Sequence, residues 1–155
     1  MKKLLATILA LVMAVALCTI GWAETSTTCQ GGEGCTHQAA VETTHYDTLI
    51  AAVNAVSDNG TVTLLRDCAG AGVGTYENPD VSKGQIQAKS FTIDFAGHVY
   101  TIGDPAAGST TYETQGFHLE WSGDANNNHT VIFKDGAIVA DKNTSQVKML
   151  VQNYC

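Results

Sequence analysis

Three stretches of the chain share one short pattern, which restricts the possible fold more than any other feature. Each is a β-rich run that stops at Asp or Gly: Thr61–Asp67, Phe91–Gly97 and Thr130–Gly136. Polar loops separate these runs, and one segment beyond the N-terminal leader has clear helical periodicity. Short strands that repeatedly end at turn residues predict an all-β fold in which a coil of strands surrounds a narrow core.

The strands fall into two types. The first type comprises the runs that contain Gly97 and Gly136, each of which continues into a further strand after the glycine. The second type is Gly116–Glu120, which recurs as Lys148–Asn153. Alternating strand types with Gly and Asp corners predict successive faces of a right-handed parallel β-helix. A β-sandwich is the alternative fold, since it also contains several short strands. Because Lys148–Asn153 is the type that precedes a Thr-Val-Ile-Phe-like strand, we expect the domain to be incomplete at its C-terminus.

A single amphipathic helix is predicted over Asp47–Val56, directly before the first strand run. Asp47 is the predicted N-cap, and Asn59 and Gly60 follow the end of the helix. The apolar face consists of Leu49, Ile50, Val53 and Val56. We expect this short helix to cap the N-terminal end of the strand coil, because an open sheet edge invites aggregation.

The N-terminus has the features of a secretory signal peptide. Lys2 and Lys3 precede the apolar run Leu4–Leu17, and Gly21 and Ala23 are small residues at the positions that a signal peptidase reads. A membrane anchor is the alternative, since the apolar stretch approaches the roughly 18 to 20 residues needed to cross a bilayer. The polar residues that follow favour cleavage, so we expect a secreted or cell-surface protein with no membrane contact after cleavage.

The chain is predicted to consist of three segments. They are a signal peptide at residues 1–23, a Cys/Gly-rich segment at 24–44 and a β-helix domain at 45–155. The leader carries two lysines and no acid, so its removal changes the net charge from −7 to about −9. Such a surface repels phosphate backbones and anionic membranes, which argues against nucleic acid as a partner.

Four cysteines remain after cleavage: Cys29, Cys35, Cys68 and Cys155. An even number in an exported chain permits two disulfides, and Cys29 with Cys35 closes the smallest loop. The alternative is a metal site from Cys29, Cys35, His37 and His45, since zinc accepts thiolate and imidazole ligands together. Because these spacings match no familiar zinc ribbon or finger, we predict no metal and no cofactor, and we expect Cys29 and Cys35 to form a disulfide or to remain a free thiol pair.

Three segments carry a family resemblance: His45–Val53, Gly60–Asp67 and Phe91–His98. Together they resemble the opening of secreted bacterial surface proteins with a pectate-lyase-like right-handed parallel β-helix. The resemblance covers residues 45–155 and implies a carbohydrate-rich or cell-surface setting. That superfamily includes both polysaccharide-cleaving enzymes and non-catalytic adhesin-like modules, and fold alone does not choose between them.

No catalytic residue is predicted. β-Helix lyases combine calcium-binding Asp residues with a base, and hydrolases use clustered carboxylates. The carboxylates and bases near strand ends are Asp94, Asp135, Asp141, Lys134, Lys142 and Arg66. None of them lies in a run that matches a catalytic motif of those enzymes.

The hypothesis from the sequence is therefore a non-catalytic module for adhesion or carbohydrate contact, with a polysaccharide or a host or cell-surface glycan as partner. The candidate sugar-stacking rings are Tyr100, Tyr112, Phe117 and Trp121. Core packing is the other interpretation of the same rings. The alternative function is the N-terminal fragment of a polysaccharide lyase or glycoside hydrolase with its active residues beyond residue 155. A structural repeat without a ligand is the third hypothesis.

Overall fold

The computed structural model describes residues 34–108, 114–120, 128–143 and 146–154. Strands dominate these residues, which confirms the all-β class. The first six strands are β1 Ala39–Val41, β2 Thr44–Tyr46, β3 Gly60–Leu64, β4 Cys68–Ala71, β5 Val73–Tyr76 and β6 Ile86–Gln87. The other six are β7 Phe91–Asp94, β8 Val99–Asp104, β9 Gln115–Leu119, β10 Val131–Lys134, β11 Ala137–Ala140 and β12 Met149–Asn153. Helix α1 spans Leu49–Ala55, and a 3₁₀ turn spans Val81–Lys83.

The strands form three sheets, and most neighbouring strands are parallel. The first sheet has the order β10-β7-β3-β1-β2, the second β11-β8-β4 and the third β12-β9-β5-β6. From β3 onward the chain visits the three sheets in the same order three times. We call these passes the first rung (β3, β4, β5), the second rung (β7, β8, β9) and the third rung (β10, β11, β12). Each rung therefore contributes one strand to each sheet.

The repeated runs of the sequence are stacked neighbours in the first sheet. Strands β3, β7 and β10 pair in parallel, with Val62 opposite Ile93 and Ile93 opposite Phe133. The second strand type occupies β9 and β12, which also pair in parallel, with Phe117 opposite Val151. Similar sequence thus marks equivalent positions on successive rungs, because the same alternation of inward and outward residues is needed at each level.

The corners after β7 and β10 stack on each other. Ala96, Gly97 and Asp135 have positive φ angles of 50°, 85° and 56°, as a sharp change of strand direction requires. The amide of Gly97 donates a hydrogen bond of 2.6 Å to the carbonyl of Asp135. At Gly136 an added Cβ would overlap the Cβ of Phe95, so glycine is needed there for close approach. The predicted corners at Gly97 and Gly136 are confirmed.

Side chains from all three sheets fill the space between them. Ile93 of the first sheet, Tyr100 and Ile102 of the second and Phe117 of the third are buried. Phe117 makes an edge-to-face contact with Phe133, with ring centroids 5.0 Å apart. The core is therefore shared by the sheets, as close packing of a narrow interior demands.

Helix α1 lies at the first-rung end of the sheets, where it contacts β1, β2, β3, β5 and β6. Its N-cap is Thr48, whose Oγ1 accepts a hydrogen bond of 3.1 Å from the amide of Ala51. The prediction of Asp47 as N-cap is therefore wrong. The carboxylate of Asp47 lies instead 3.4 Å from Nε2 of His37.

An antiparallel hairpin formed by β1 and β2 extends the first sheet beyond β3. This hairpin begins at Ala39, within the Cys/Gly-rich segment 24–44, where no strand was predicted. The signal peptide at residues 1–23 lies outside the described residues and remains a prediction.

Candidate functional site

One cysteine and two histidines converge at the β1–β2 hairpin. Cys35 and His37 precede β1, and His45 is the central residue of β2. The amide of Gln38 donates a hydrogen bond of 2.9 Å to the carbonyl of Tyr46, which extends the hairpin ladder. The antiparallel chain reversal thereby places the segment before β1 alongside β2.

The cysteine sulfur lies at the centre of this cluster. Sγ of Cys35 is 3.4 Å from Nδ1 of His37 and 3.4 Å from Nδ1 of His45. One potential ligand atom from each of the three residues lies within 4.8 Å of the other two. The two imidazole rings are at 70° with centroids 5.8 Å apart, and all three side chains are partly buried. Sulfur and imidazole nitrogen in this arrangement are the ligands that zinc prefers.

Asp47 stands behind one of the two rings. Its Oδ1 atom lies 3.4 Å from Nε2 of His37, whose Nδ1 faces the sulfur. A carboxylate on the far nitrogen of an imidazole orients the ring and sets which nitrogen is available as a ligand. This role differs from the N-cap role that was predicted for Asp47. No local motif links Asp47 to His37, because the two residues are ten positions apart in the sequence.

The oxidation state of Cys35 decides what the cluster can bind. Cys35 is disulfide-bonded. Cys29 lies outside the described residues, so the Cys29–Cys35 pairing remains a prediction. A disulfide sulfur has no thiolate charge, whereas the thiolate is the form of cysteine that ligates metals. The three residues can therefore serve as a complete ligand set only when Cys35 is reduced.

Cys68 is the free cysteine within the described part of the chain. Burial raises the pKa of its thiol above the ordinary value. A buried thiol with a raised pKa is less often in the reactive thiolate form. We therefore regard Cys68 as a packing residue and not as a second reactive centre.

Two of the four predicted sugar-contacting rings are core residues. Tyr100 is 1 % exposed and Phe117 is fully buried, so neither ring has an open face for a sugar. The hydroxyl of Tyr100 donates a hydrogen bond of 2.7 Å to the carbonyl of Ala71. Core packing thus accounts for these two rings, while Tyr112 and Trp121 lie outside the described residues and remain predictions.

The structure brings together three of the ionisable groups that were considered for catalysis. Nζ of Lys134 lies 2.9 Å from Oδ2 of Asp94 and 3.9 Å from Oδ2 of Asp135. The hydrogen bond from Lys134 lowers the pKa of Asp94, and the same bond raises the pKa of Lys134. A lysine must be neutral to accept a proton, so this geometry suits an ion pair and not a general base. Asp141 instead accepts a hydrogen bond of 2.9 Å from the amide of Asn143.

A small pocket lies beside the third rung. The corner Lys134–Gly136, the rings of Phe95 and Phe133, and Leu150 and Val151 of β12 contribute to its walls. Its volume of about 270 Å³ is slightly below the roughly 300 to 1,000 Å³ of typical ligand pockets. This pocket is too small to enclose several linked sugar units.

The chain matches no protein-family model, no curated protein and no solved structure in comparisons with known proteins. Across the described ranges, no helix is both long enough and apolar enough to cross a membrane.

Proposed function

We propose that the chain is a secreted or cell-surface, non-catalytic module that mediates adhesion or carbohydrate contact through a right-handed parallel β-helix. The observation that carries this proposal is the order in which the three rungs visit the three sheets. Within each rung the consecutive strands lie in different sheets, and equivalent strands of successive rungs pair in parallel, as the winding of a β-helix requires. Right-handed winding is the expectation, because parallel crossovers are right-handed in about 98 % of cases.

The setting follows from the N-terminal leader and from the resemblance to pectate-lyase-like surface proteins. Residues 1–23 have the features of a cleaved signal peptide, which would deliver the domain outside the cytoplasm. The stretches His45–Val53, Gly60–Asp67 and Phe91–His98 contribute α1, β3 and β7 of the described fold. A stack of rungs presents long outer faces, and such faces suit contact with extended partners.

The contacts of the ionisable residues favour a non-catalytic role. Lys134 is held in its protonated form by Asp94, so it is poorly suited to remove a proton from a sugar ring. The pocket next to it is too small for a polysaccharide segment. These two features support adhesion over the alternative function, an N-terminal fragment of a polysaccharide lyase or glycoside hydrolase.

The charge of the domain indicates which glycans it would contact. The whole chain has a net charge of −7, and the mature form has about −9. Polyuronates such as pectin are also negatively charged, so the protein surface would repel them. We therefore propose neutral glycans as the partners, with Tyr112 and Trp121 as the remaining candidate stacking rings.

A glycan array with neutral and uronate-rich polysaccharides tests this proposal. We expect the mature protein to bind neutral glycans and to leave pectins intact in a lyase assay. The double variant Tyr112→Ala with Trp121→Ala should lose binding at least tenfold. Tyr154→Phe, which keeps the ring of an exposed tyrosine, is the matched control and should bind like the wild type.

Two results would overturn the proposal in different ways. Release of unsaturated uronates at catalytic turnover would establish the lyase alternative. Blank results in both assays would favour a structural repeat with no glycan ligand.

A further inference from the structure

We propose that Cys35, His37 and His45 form a zinc-type metal site that becomes available when the Cys35 disulfide is reduced. The cluster lies on the β1–β2 hairpin at the first-rung end of the sheets. It shares no residue with the candidate glycan contacts. The metal site and the adhesion function can therefore succeed or fail independently.

The two sulfur–nitrogen distances match tetrahedral coordination. Zinc lies about 2.3 Å from a thiolate sulfur and about 2.0 Å from an imidazole nitrogen, so tetrahedral angles separate these two atoms by about 3.5 Å. Both sulfur–nitrogen distances in the cluster are 3.4 Å. Both separations therefore suit a metal ion placed between the sulfur and each nitrogen.

The orientation of the two imidazole rings favours a metal site over a nucleophilic cysteine activated by one histidine. A nucleophilic cysteine needs one imidazole as its base, whereas here two imidazoles direct the same nitrogen, Nδ1, at one sulfur. The carboxylate of Asp47 lies at the far nitrogen of His37. Metal-bound histidines usually have such a carboxylate or carbonyl partner, which orients the ring and makes the ligand nitrogen more basic.

The backbone next to the ligands is held in place by Gln38. Its amide donates to the carbonyl of Tyr46, and its Nε2 donates a hydrogen bond of 3.0 Å to the carbonyl of Ala69. Its Oε1 accepts a hydrogen bond of 3.2 Å from the amide of Leu49 at the start of α1. One residue therefore links the segment before β1 to β2, β4 and α1. Such support keeps ligands close to their productive geometry and lowers the entropy cost of binding.

The chemical step that would open the site is reduction of the disulfide. A tertiary phosphine transfers two electrons to the sulfur–sulfur bond, and with one water molecule the products are the phosphine oxide and two thiols. The Cys35 thiol then loses its proton as the metal binds, which is the usual coupling of metal binding to proton release. Three protein ligands leave the fourth position for water or for the partner thiol that the same reduction releases.

The ligand set also restricts the metal. One thiolate and two imidazoles suit zinc and cobalt, whereas calcium and magnesium require oxygen ligands. Cobalt(II) is the better probe, because its thiolate complexes absorb in the near-ultraviolet and visible range, where zinc complexes are transparent.

Cobalt titration of the mature protein, with and without a tertiary phosphine, tests the inference. We expect one cobalt per reduced chain with a sulfur-to-cobalt absorption band, displacement by zinc, and no such band from the oxidised protein. Cys35→Ser should abolish the band, and His37→Ala or His45→Ala should weaken binding at least a hundredfold. Asp47→Asn should weaken binding about 10- to 100-fold, since it removes only the carboxylate behind the ligand.

Two matched controls separate this site from other cysteines and histidines. Cys68→Ser and His98→Ala should bind cobalt like the wild type, because neither residue belongs to the cluster. Cys29→Ser tests the predicted disulfide partner. If Cys29 is that partner, this variant should bind cobalt without any reductant.

Absence of the band from the reduced wild type, or its persistence in Cys35→Ser, would overturn the inference. If Cys35→Ser fails to fold, alkylation of the reduced wild type provides the same test. Zinc should then protect Cys35 from iodoacetamide, as mapped by mass spectrometry. Equal alkylation with and without zinc would also overturn the inference.

Discussion

The ammonium of Lys134 lies 2.9 Å from the carboxylate of Asp94, and the two residues stand directly opposite each other on the parallel strands β10 and β7. Asp94 also accepts a hydrogen bond of 2.9 Å from the amide of Ala96, at the corner that follows its strand. One carboxylate thus connects the corner of the second rung to the strand of the third. Ion pairing between opposite strand positions stabilises the register of a sheet.

The variant Asp94→Asn should show how this pair depends on pH. The hydrogen bond from Lys134 lowers the pKa of Asp94 in the folded protein, so the carboxylate adds stability above its unfolded pKa of about 3.9. That contribution is lost as the pH falls through the lower folded pKa. The urea midpoint of wild type should therefore exceed that of Asp94→Asn at pH 7, and the difference should disappear toward pH 2.

Glu42→Gln is the control for the loss of one negative charge, since no ion pair of Glu42 occurs among the described residues. Its urea midpoint should follow that of the wild type across the same pH range. A difference for Asp94→Asn that is constant with pH would contradict the electrostatic explanation.

The variant Gly136→Ala should destabilise the third rung by about 1 to 3 kcal/mol, the usual cost of overpacking. A Cβ at this position would overlap the Cβ of Phe95 and lie 2.5 Å from the carbonyl oxygen of His98. The matched control is Gly103→Ala in β8, where the nearest atom to an added Cβ is the carbonyl oxygen of Gly70 at 3.9 Å. Chemical denaturation should show a lower free energy of unfolding for Gly136→Ala alone. An equal decrease in the free energy of unfolding in both variants would contradict the close packing of Gly136 against Phe95.

The variant Tyr100→Phe should destabilise the protein by about 0.5 to 1.5 kcal/mol, because the partly buried carbonyl of Ala71 loses its hydrogen-bond donor. Burial raises the pKa of Tyr100 above its ordinary value, so the folded state keeps this proton at a pH where the unfolded chain has lost it. The stabilisation is complete below about pH 10 and declines as the pH rises further. Thermal unfolding measured from pH 8 to 11 should show a smaller alkaline loss for Tyr100→Phe than for wild type.

Tyr154→Phe is the matched control, since Tyr154 is 45 % exposed. It should retain both the stability and the alkaline profile of the wild type. Ionisation of Tyr100 in the folded protein near pH 10, detected by tyrosinate absorbance, would contradict the buried hydrogen bond.

The strand repeats were predictable because they are local patterns. In β7 the buried Phe91 and Ile93 alternate with the more exposed Thr92 and Asp94, and the corner that follows needs positive φ at Gly97. Both requirements are satisfied by neighbouring residues, so they can be recognised without knowing the rest of the chain. The short hairpin was missed, since Ala39–Val41 and Thr44–Tyr46 have too few residues to show a period.

Where two residues or two roles were equally compatible with the sequence, contacts with other parts of the chain decided between them. Asp47 and Thr48 are both good N-cap residues, and Asp47 faces His37 while Thr48 caps the helix. The local sequence around Tyr100 is compatible both with a ring that stacks on a sugar and with a ring that fills the core. Its burial follows from the packing of sheets that the sequence does not position.

The sequence by itself determined the all-β class, the corners and the strands that are equivalent on successive rungs. These depend on alternation and on backbone preferences, which act over a few residues. Tertiary structure decided that Cys35, His37 and His45 converge and that Phe117 is buried. Such contacts arise when the hairpin reverses the chain and the sheets close around a shared core, so they are properties of the folded chain and not of any one segment.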